Sequence, residues 1–253
     1  MSGVARLVLN GTDPDSIDEG SLGEMTPAEF VTALRGACSA PGRGMANHPV
    51  VTGVESGSLT LPQLRLFTEQ FYLHIRNMLP WIGQIYVTCP LEEVRTTLVK
   101  NLAEEVLGTF TGTKAHPELL LEFGDAIGLD VEAARRAEQW TVGRRVTEYF
   151  EFMSNCRPWF VPLAAIGIGL ESFVPDTFTR LVAGFKANYG LGDDQLVFWT
   201  MHILADAEHG DEGIEIVSEH VTTPKARKLV YECTRETSLR YFDLWNVFSA
   251  VGS

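Results

Sequence analysis

The segment MHILADAEH, residues 201–209, carries the densest group of potential metal ligands in this 253-residue chain. On an α-helix, offsets of four and seven residues place His202, Asp206 and His209 on one stripe. Two imidazoles and a carboxylate that point the same way suit iron, manganese or zinc. The alternative is a polar helix face that holds no metal, and the surrounding residues help to separate the two.

The residues that flank this stripe indicate that it is buried. Large apolar side chains, including Trp199, Ile203 and Leu204, share or border the same face of the helix. An unpaired carboxylate is costly to bury, because it loses its hydration without gaining a partner. A cation beside Asp206 would remove this cost, so the pattern favours a metal.

A second carboxylate, Glu105, stands on the predicted core face of another helix. It lies seven residues after Leu98 and continues that apolar stripe, whereas Glu104 is turned about 100° away. The alternative is a carboxylate at a fraying C-terminal turn, where the helix dipole disfavours negative charge. A metal ion would remove that objection.

Glu171 and His116 are two further potential ligands. Glu171 interrupts an otherwise apolar run, residues 163–174, and acids are almost never fully buried without a partner. His116 stands at the start of a short helix. Taken alone, Glu171 could equally emerge from a helix side or cap a turn, and His116 could be an ordinary helix-start residue.

Together these residues offer three carboxylates and three imidazoles from four helical regions. The predicted ligands are Glu105, His116, Glu171, His202, Asp206 and His209. Six ligands match a two-metal centre better than a single zinc ion, which prefers four. Two divalent ions bring four positive charges and three carboxylates remove three, which leaves one for an anionic ligand. A ferritin-like bundle is disfavoured, because it uses two Glu-x-x-His pairs and only Asp206-x-x-His209 has that spacing here.

The chain as a whole is predicted to be all-α, with seven to nine helices and almost no strand-like alternation. Residues 1–25 are predicted to be a mobile tail, and residues 26–253 a single helical domain. Thr26 caps the first helix, and Thr60 caps a long one that Pro80 should kink. Further helices are expected at about 90–108, 116–127, 131–155, 158–187, 194–221 and 224–250.

Composition argues against several classes of protein. The formal net charge is −13 and no cluster of Lys and Arg occurs, which disfavours a nucleic-acid partner. Four cysteines without a CxxC pair indicate a reduced, cytoplasmic protein. We find no signal peptide, and no membrane span is expected, since the most apolar window, residues 159–174, contains Pro162 and Glu171.

Several short motifs in one order resemble the heme-oxygenase-like diiron oxidases and oxygenases, which are related in fold to the pyrroloquinoline-quinone ring-closing oxidase and thiaminase II. The resemblance spans about residues 48–220. In chain order the motifs are His48-Pro49, Gly57-Ser-Leu-Thr-Leu-Pro-Gln-Leu, Phe71-Tyr72, Asn101-Leu-Ala-Glu-Glu105, His116-Pro-Glu-Leu119, Gly128-Leu129, Leu170-Glu171-Ser172 and His202-x3-Asp206-x2-His209. The ordered set is far more specific than any one motif.

The resemblance implies a heme-oxygenase-like bundle of about seven core helices, two iron ions (Fe2+) held by the six predicted ligands, and O2 as co-substrate. It also implies a small amine, amino acid or fatty-acid-like substrate in specialised (natural product) biosynthesis. The reaction would be N-oxygenation, desaturation or oxidative C–C cleavage, with an external electron donor. One departure is that ten residues separate Glu105 from His116, so the Gly/Thr-rich loop of residues 108–113 must fold back.

Arg76, facing the bundle from the long helix, is a hypothetical ligand for a substrate carboxylate, and the alternative is a surface arginine. The sequence identifies no catalytic residue beyond the potential metal ligands.

The sequence is also compatible with other interpretations. A cofactor-free or thiaminase-like enzyme on the same fold would need a catalytic cysteine, for which only Cys156 offers itself. A true heme oxygenase would need His48 or His74 as the proximal ligand. A non-enzymatic metal-binding helical protein is a third alternative. A homodimer could form through an aromatic stripe near the C-terminus, although such stripes are more often core: Tyr231, Tyr241, Trp245 and Phe248.

Overall fold

The computed structural model describes residues 17–251, except for the side chains of residues 204–212. The described part of the chain contains twelve α-helices, with short 3-10 turns between some of them, and no strand. The helices are α1 Glu19–Glu24, α2 Pro27–Ser39, α3 Pro49–Ser56, α4 Leu61–Thr88, α5 Glu92–Leu107, α6 His116–Ala126, α7 Val131–Arg136, α8 Thr141–Cys156, α9 Phe160–Gly167, α10 Val174–Tyr189, α11 Val197–His220 and α12 Pro224–Trp245. The all-α prediction is confirmed, with more and shorter helices than expected.

Side-chain caps begin the two helices whose N-termini the sequence marks. Glu29 N donates to Thr26 Oγ1 at 3.3 Å, and Thr26 N donates to Glu29 Oε2 at 2.8 Å. Thr60 and Gln63 form the same reciprocal pair at the start of α4. Each pair satisfies backbone N–H groups that lack a partner in the first helical turn. α4 then runs for 28 residues with Pro80 inside it.

The helix predicted at residues 131–155 is two helices, α7 and α8. The side chain of Gln70 in α4 binds the backbone of the segment between them. Its Nε2 donates to Glu138 O at 3.3 Å, and its Oε1 accepts from Trp140 N at 2.8 Å. Because these tertiary bonds take the place of helical ones, local periodicity did not reveal the break.

The helix predicted at residues 158–187 is also divided. α9 and α10 are separated by a short segment that contains the 3-10 turn Glu171–Phe173. Gly169 lies in this break, and a Cβ there would be 2.4 Å from the carbonyl oxygen of Ala165, so a larger residue would not fit. The carboxylate of Glu171 is therefore presented from a turn and not from a helix face.

The folded domain begins earlier than the sequence indicated. α1 is capped by Asp18, which accepts a hydrogen bond from Ser21 N at 3.1 Å, and Leu22 is fully buried. Arg227 donates to the carbonyl oxygen of Leu22 at 2.8 Å and fastens α1 to α12. One buried leucine in a polar segment gave too weak a local signal, so the boundary moves from residue 26 to about residue 18. Residues 1–16 lie outside the described residues, and a mobile tail there stays a prediction.

The core is aromatic and is centred on α4, α11 and α12. Phe71 lies between Trp199 and Trp245, with ring centroids at 6.2 and 5.6 Å. Tyr241, Trp245 and Phe248 are buried within the chain. These three residues of the C-terminal aromatic stripe therefore belong to the core and not to a dimer interface. A homodimer through another surface stays a prediction.

One stretch, Phe160–Tyr189, is long and apolar enough by length and composition to cross a membrane. It contains the break between α9 and α10, and 67% of its most apolar window is buried inside the protein. Such burial is typical of core helices, because their apolar side chains are used in packing.

Candidate metal centre

Three of the six predicted ligands converge inside the bundle. Glu105 comes from the last turn of α5, His116 from the first residue of α6, and His202 from the second turn of α11. One donor atom of each lies within 4.8 Å of the other two. Both imidazoles are buried, and the Glu105 side chain is 16% exposed. Helices that are distant in sequence thus bring nitrogen and oxygen donors to one interior position.

A tight loop returns the chain from Glu105 to His116. Gly108 follows α5 as its C-cap, with a left-handed φ of 60°. A Cβ at this position would lie 2.4 Å from the Thr113 carbonyl oxygen. Gly112 is also left-handed, with φ of 68°. Because glycine adopts this conformation without steric cost, the two glycines reverse the chain. The loop folds back as the sequence required.

Glu104 organises this loop from the buried side. Its Oε2 accepts hydrogen bonds from Phe110 N at 2.6 Å and from Thr111 N at 3.3 Å, and its Oε1 accepts one from Thr111 Oγ1 at 2.5 Å. Burial alone would raise the pKa of Glu104, but these donors and His116 outweigh it, and the pKa is lowered. The carboxylate is therefore charged and bound on both oxygens.

The sequence did not identify Glu104 as part of the site, because the helical register places it about 100° from the face that carries Glu105. The side chain is nevertheless 4% exposed, since the returning loop covers the side of α5 that periodicity left to solvent. A signal was present: a carboxylate at a helix C-terminus is unfavourable unless donors follow it, and a loop of three threonines and several free N–H groups follows directly.

His116 lies between two carboxylates. Its Nδ1 is 2.8 Å from Glu105 Oε2, and its Nε2 is 3.6 Å from Glu104 Oε1. Burial acts to lower the pKa of His116, but the two negative charges outweigh it and the pKa is raised. The site therefore has a strong preference for positive charge, which a proton or a metal ion can supply.

His202 is held with one nitrogen free to act as a ligand. Its Nδ1 is 2.6 Å from the carbonyl oxygen of Phe198, one turn earlier in α11. A carbonyl can only accept, so Nδ1 carries the proton and Nε2 has its lone pair available. The His202 ring meets that of His116 edge-on, with centroids 4.6 Å apart.

Two cavities meet at the cluster, and Glu105 and Glu171 line both of them. The larger, with a volume of about 50 Å³, lies between α4, α5, α9 and α11. Its walls are mainly aliphatic, with the polar side chains of Asn101 and Thr97 one and two turns before Glu105. The half-buried Glu171 thus faces the same space as Glu105, as a shared centre requires.

The second cavity, with a volume of about 40 Å³, has walls that are partly aromatic. Phe178, Phe198 and Tyr241 line it, and His202 opens onto it beside the two carboxylates. The cluster therefore stands between an aliphatic space and an aromatic one.

Asp206 and His209 lie on α11 within residues 204–212, whose side chains are outside the described residues. The helix covers Val197–His220, so their backbone positions fall on the stripe that contains His202. Their roles as ligands stay predictions.

Close approach of α9 to α11 occurs through two glycines. A Cβ at Gly167 would be 3.6 Å from the Cα of Gly213 and 3.9 Å from Glu171 Oε2. The lack of a side chain at Gly167 therefore lets α9 approach α11 closely beside Glu171.

Arg76 does not reach the cluster. Its guanidinium donates to the carbonyl oxygen of Arg135 at 3.0 Å and lies over the Tyr72 ring, and it lines neither cavity. We therefore do not retain it as a substrate ligand. Cys156, the cysteine considered for thiaminase-like chemistry, is exposed at the end of α8 and also lies outside the lining of both cavities.

The two histidines considered for heme are part of the packed core. His48 caps α3 by accepting from Val50 N at 3.1 Å, and its Nε2 is 3.0 Å from the carbonyl oxygen of Phe242. Burial lowers its pKa to about 4. His74 is enclosed by aromatic rings, and burial lowers its pKa to about 3. Neither lines the two cavities beside the cluster.

The donor set fits iron. Imidazole nitrogens and carboxylate oxygens suit iron and manganese, and cysteine sulfur, which selects softer metals, is absent from the described cluster. Both ring nitrogens of His116 are buried beside negative charge, and Nε2 of His202 is available. A cation at this position would neutralise charge that the interior otherwise has to solvate.

Comparison with known proteins agrees with this chemistry. The model of a family described as iron-containing redox enzymes matches residues 65–241, a region that contains all six predicted ligands. The 4-aminobenzoate synthase of Nitrosomonas europaea is 27% identical over 203 residues, which make up 76% of this chain and 80% of that protein.

Solved structures share the fold at low sequence identity. A TenA homolog from Pseudomonas syringae has a TM-score of 0.75 at 12% identity, over 96% of this chain and 99% of that one. A domain of unknown function with a heme oxygenase-like fold from Shewanella denitrificans has a TM-score of 0.71 at 15% identity, over 92% and 93%. The predicted heme-oxygenase-like fold is confirmed.

Proposed function

This chain belongs to the family of iron-containing redox enzymes, and on that premise we propose that it activates O2 at two iron ions as an oxidase or oxygenase. The observation that carries the proposal is the convergence of Glu105, His116 and His202, with donor atoms within 4.8 Å of one another. The cluster is interior and borders two small cavities whose lining is mainly apolar with a few polar groups, as the lining of small-molecule sites usually is.

In this proposal, Glu105, His116 and His202 hold iron together with Glu171, which faces the same space. Asp206 and His209 complete the set from the next turns of α11. Three carboxylates in one interior position would repel one another without cations, since a low-dielectric environment strengthens their interaction. Two divalent ions nearly balance them and leave one positive charge for an anionic ligand.

Bound iron supplies the one-electron redox chemistry that O2 requires and that zinc lacks. The chain's own residues contribute position and environment. The Phe198 carbonyl fixes the tautomer of His202, so that Nε2 and not Nδ1 serves as the ligand. In this proposal, the aliphatic part of the larger cavity's wall limits the water beside the iron, which would strengthen electrostatic interactions there.

We propose that the substrate is a small organic molecule with an apolar body. Among the classes considered, a fatty-acid-like molecule or an apolar amine gains most from the aliphatic walls, and a compact zwitterionic amino acid gains least. The described lining of the larger cavity contains no Lys or Arg, so a substrate carboxylate would rely on the metal for its charge partner.

Iron stoichiometry tests the metal centre. Metal-free protein is titrated anaerobically with Fe(II), separated from free iron by gel filtration and analysed for bound iron. We expect close to two irons per chain, and less than one for Glu105→Ala. His74→Phe, which changes a buried histidine outside the cluster, should keep the full content. One iron per chain would contradict a diiron centre, and none would contradict the proposal as a whole.

Oxygen consumption tests the substrate class. Iron-loaded protein is screened with amines, amino acids and fatty acids, and an apolar member should accelerate O2 uptake most. Ile216→Trp, which fills the larger cavity, should raise KM for that compound without changing iron content. Val99→Trp adds the same ring at an exposed position of α5 and should leave KM unchanged. Equal effects of the two variants would remove the cavity from the proposal.

A further inference from the structure

We propose that Glu104 is a positioning residue for the metal centre: it holds Nε2 of His116 so that Nδ1 faces the metal, and it ties the loop of residues 108–113 to that orientation. The inference rests on the proposed function, because it assumes a cation at the cluster. Glu104 is not one of the predicted ligands, and its part is to fix the orientation of one of them.

The first observation is that each nitrogen of the His116 ring lies beside a different carboxylate, Glu105 on one side and Glu104 on the other. Nδ1 of His116 is 2.8 Å from Glu105 Oε2, a separation typical of two groups that share a proton or a cation. Nε2, on the opposite side of the ring, faces Glu104 Oε1 at 3.6 Å. If Nδ1 binds a metal, the ring proton resides on Nε2, and Glu104 is the acceptor beside it.

The second observation is that every other oxygen contact of Glu104 comes from the loop. Phe110 N and Thr111 N donate to Oε2, and Thr111 Oγ1 donates to Oε1, the oxygen that also faces His116. The carboxylate cannot turn away from His116 without breaking these bonds. The loop therefore fixes the position of the acceptor, whose Oε1 lies 3.6 Å from Nε2 of His116.

The physical consequence is a coupling between loop geometry and metal affinity. A carboxylate that accepts the second N–H of a ligating imidazole fixes its tautomer and orientation and makes the other nitrogen more basic. Loss of such a partner typically weakens metal binding by about 10- to 100-fold. The burial of a charge at a helix C-terminus, where the dipole opposes it, is offset by these four contacts.

The test compares Glu104→Gln with Thr111→Val. Glu104→Gln keeps the shape of the side chain but removes its charge, so it weakens both the His116 and the loop contacts. Thr111→Val removes the hydroxyl donor to Oε1 and keeps the two backbone N–H donors to Oε2, which still hold the carboxylate beside His116. Affinity for Fe(II) is measured anaerobically by competition with a coloured chelator, and circular dichroism and Tm confirm that each variant is folded.

We expect Glu104→Gln to weaken Fe(II) binding by about 10- to 100-fold, and Thr111→Val to stay within about threefold of the wild type. Glu104→Asp, which restores the charge, should recover part of the loss. Similar losses in Glu104→Gln and Thr111→Val would mean that Glu104 acts only through the loop and would overturn the proposal.

A spectroscopic measurement distinguishes orientation from mere stability. In protein loaded with Zn(II) as a diamagnetic probe, ¹⁵N NMR of labelled histidine should identify His116 as the Nε2–H tautomer, with a downfield proton that moves upfield in Glu104→Gln. A His116 that is protonated on Nδ1 overturns the inference even if the wild type binds two irons, so this failure is separate from that of the proposed function. A wild type that binds no metal overturns both.

Discussion

His116 and His74 are both fully buried, and their surroundings are opposite in kind. His116 lies between the carboxylates of Glu104 and Glu105, which raise its pKa in spite of burial. His74 lies among the rings of Tyr241, Trp81 and Phe150, and neither of its nitrogens has a hydrogen-bond partner in the described part of the chain. Burial lowers its pKa to about 3.

This difference shows that depth in the bundle does not identify a functional histidine. Both rings were removed from water at a similar cost, and only one of them is next to charge that a cation can balance. A buried imidazole beside carboxylates is prepared for a proton or a metal. One among aromatic rings is kept neutral and serves packing.

The largest effect should separate the two residues directly. His116→Ala removes a nitrogen donor and leaves two carboxylates facing each other, so Fe(II) affinity should fall by about 100-fold or more, beyond the range typical of an outer-shell partner. His74→Phe should bind iron as the wild type does. Equal iron content in the two variants, measured after anaerobic loading, would break the comparison.

A backbone change should reach His116 through the loop. Gly108→Ala brings a Cβ within 2.4 Å of the Thr113 carbonyl oxygen at a left-handed φ, and should cost about 2–3 kcal/mol of unfolding free energy. Gly112→Ala is the matched control, since Gly112 also has a left-handed φ but a Cβ there would have no neighbour within 4 Å. This variant should lose about 1 kcal/mol of unfolding free energy. Urea unfolding measures both, and Fe(II) affinity should fall only in Gly108→Ala.

Because His74 is neutral in the folded protein, the free energy of unfolding should decrease as pH falls. Its pKa is about 3 in the fold against 6.5 ordinarily, so between these values the unfolded chain binds more protons and stability falls as pH falls. At pH 5 the loss is about 2 kcal/mol relative to pH 7. His48, with a pKa of about 4, contributes in the same direction.

His74→Phe isolates the share of that one residue. In metal-free protein, the change in unfolding free energy between pH 7 and pH 5 should be smaller in the variant than in the wild type by about 2 kcal/mol. All other titrating groups are common to the two proteins and cancel in this difference. An unchanged pH dependence would show that His74 is accessible to protons in the folded state.

The smallest effect is expected at Arg76, which lies outside both environments. Arg76→Ala removes a hydrogen bond to the Arg135 carbonyl and a stacking contact with Tyr72, at a cost of about 1 kcal/mol. KM for an accelerating substrate should not change. A raised KM with unchanged Tm would return Arg76 to the substrate site.

Features that depend on neighbouring residues could be predicted from the sequence, whereas features that depend on distant residues could not. Helix starts at Thr26 and Thr60 were predictable, because the capping residues and the N–H groups they satisfy are three residues apart. The break between α7 and α8 was not, because it depends on Gln70, about 70 residues away. The same limit applies to α1, which is held by Arg227.

At the site, the sequence identified Glu105, His116 and His202 as members of one cluster and left Glu104 out. Periodicity assigns a residue to a face of its own helix. It contains no information about the following loop, which here folds over the opposite face. It also placed Arg76 towards the bundle without showing which neighbour its guanidinium would meet.

The sequence by itself determined the residue types of the site and their helical register, because spacing along a helix follows from bonds between residues four positions apart. Only the tertiary structure decided which nitrogen of His116 faces which carboxylate, that Glu171 lines the cavities beside the cluster from a turn, and that His74 lies among rings. Those relations depend on where the chain reverses and which distant side chains then meet, and no local hydrogen-bonding pattern records them.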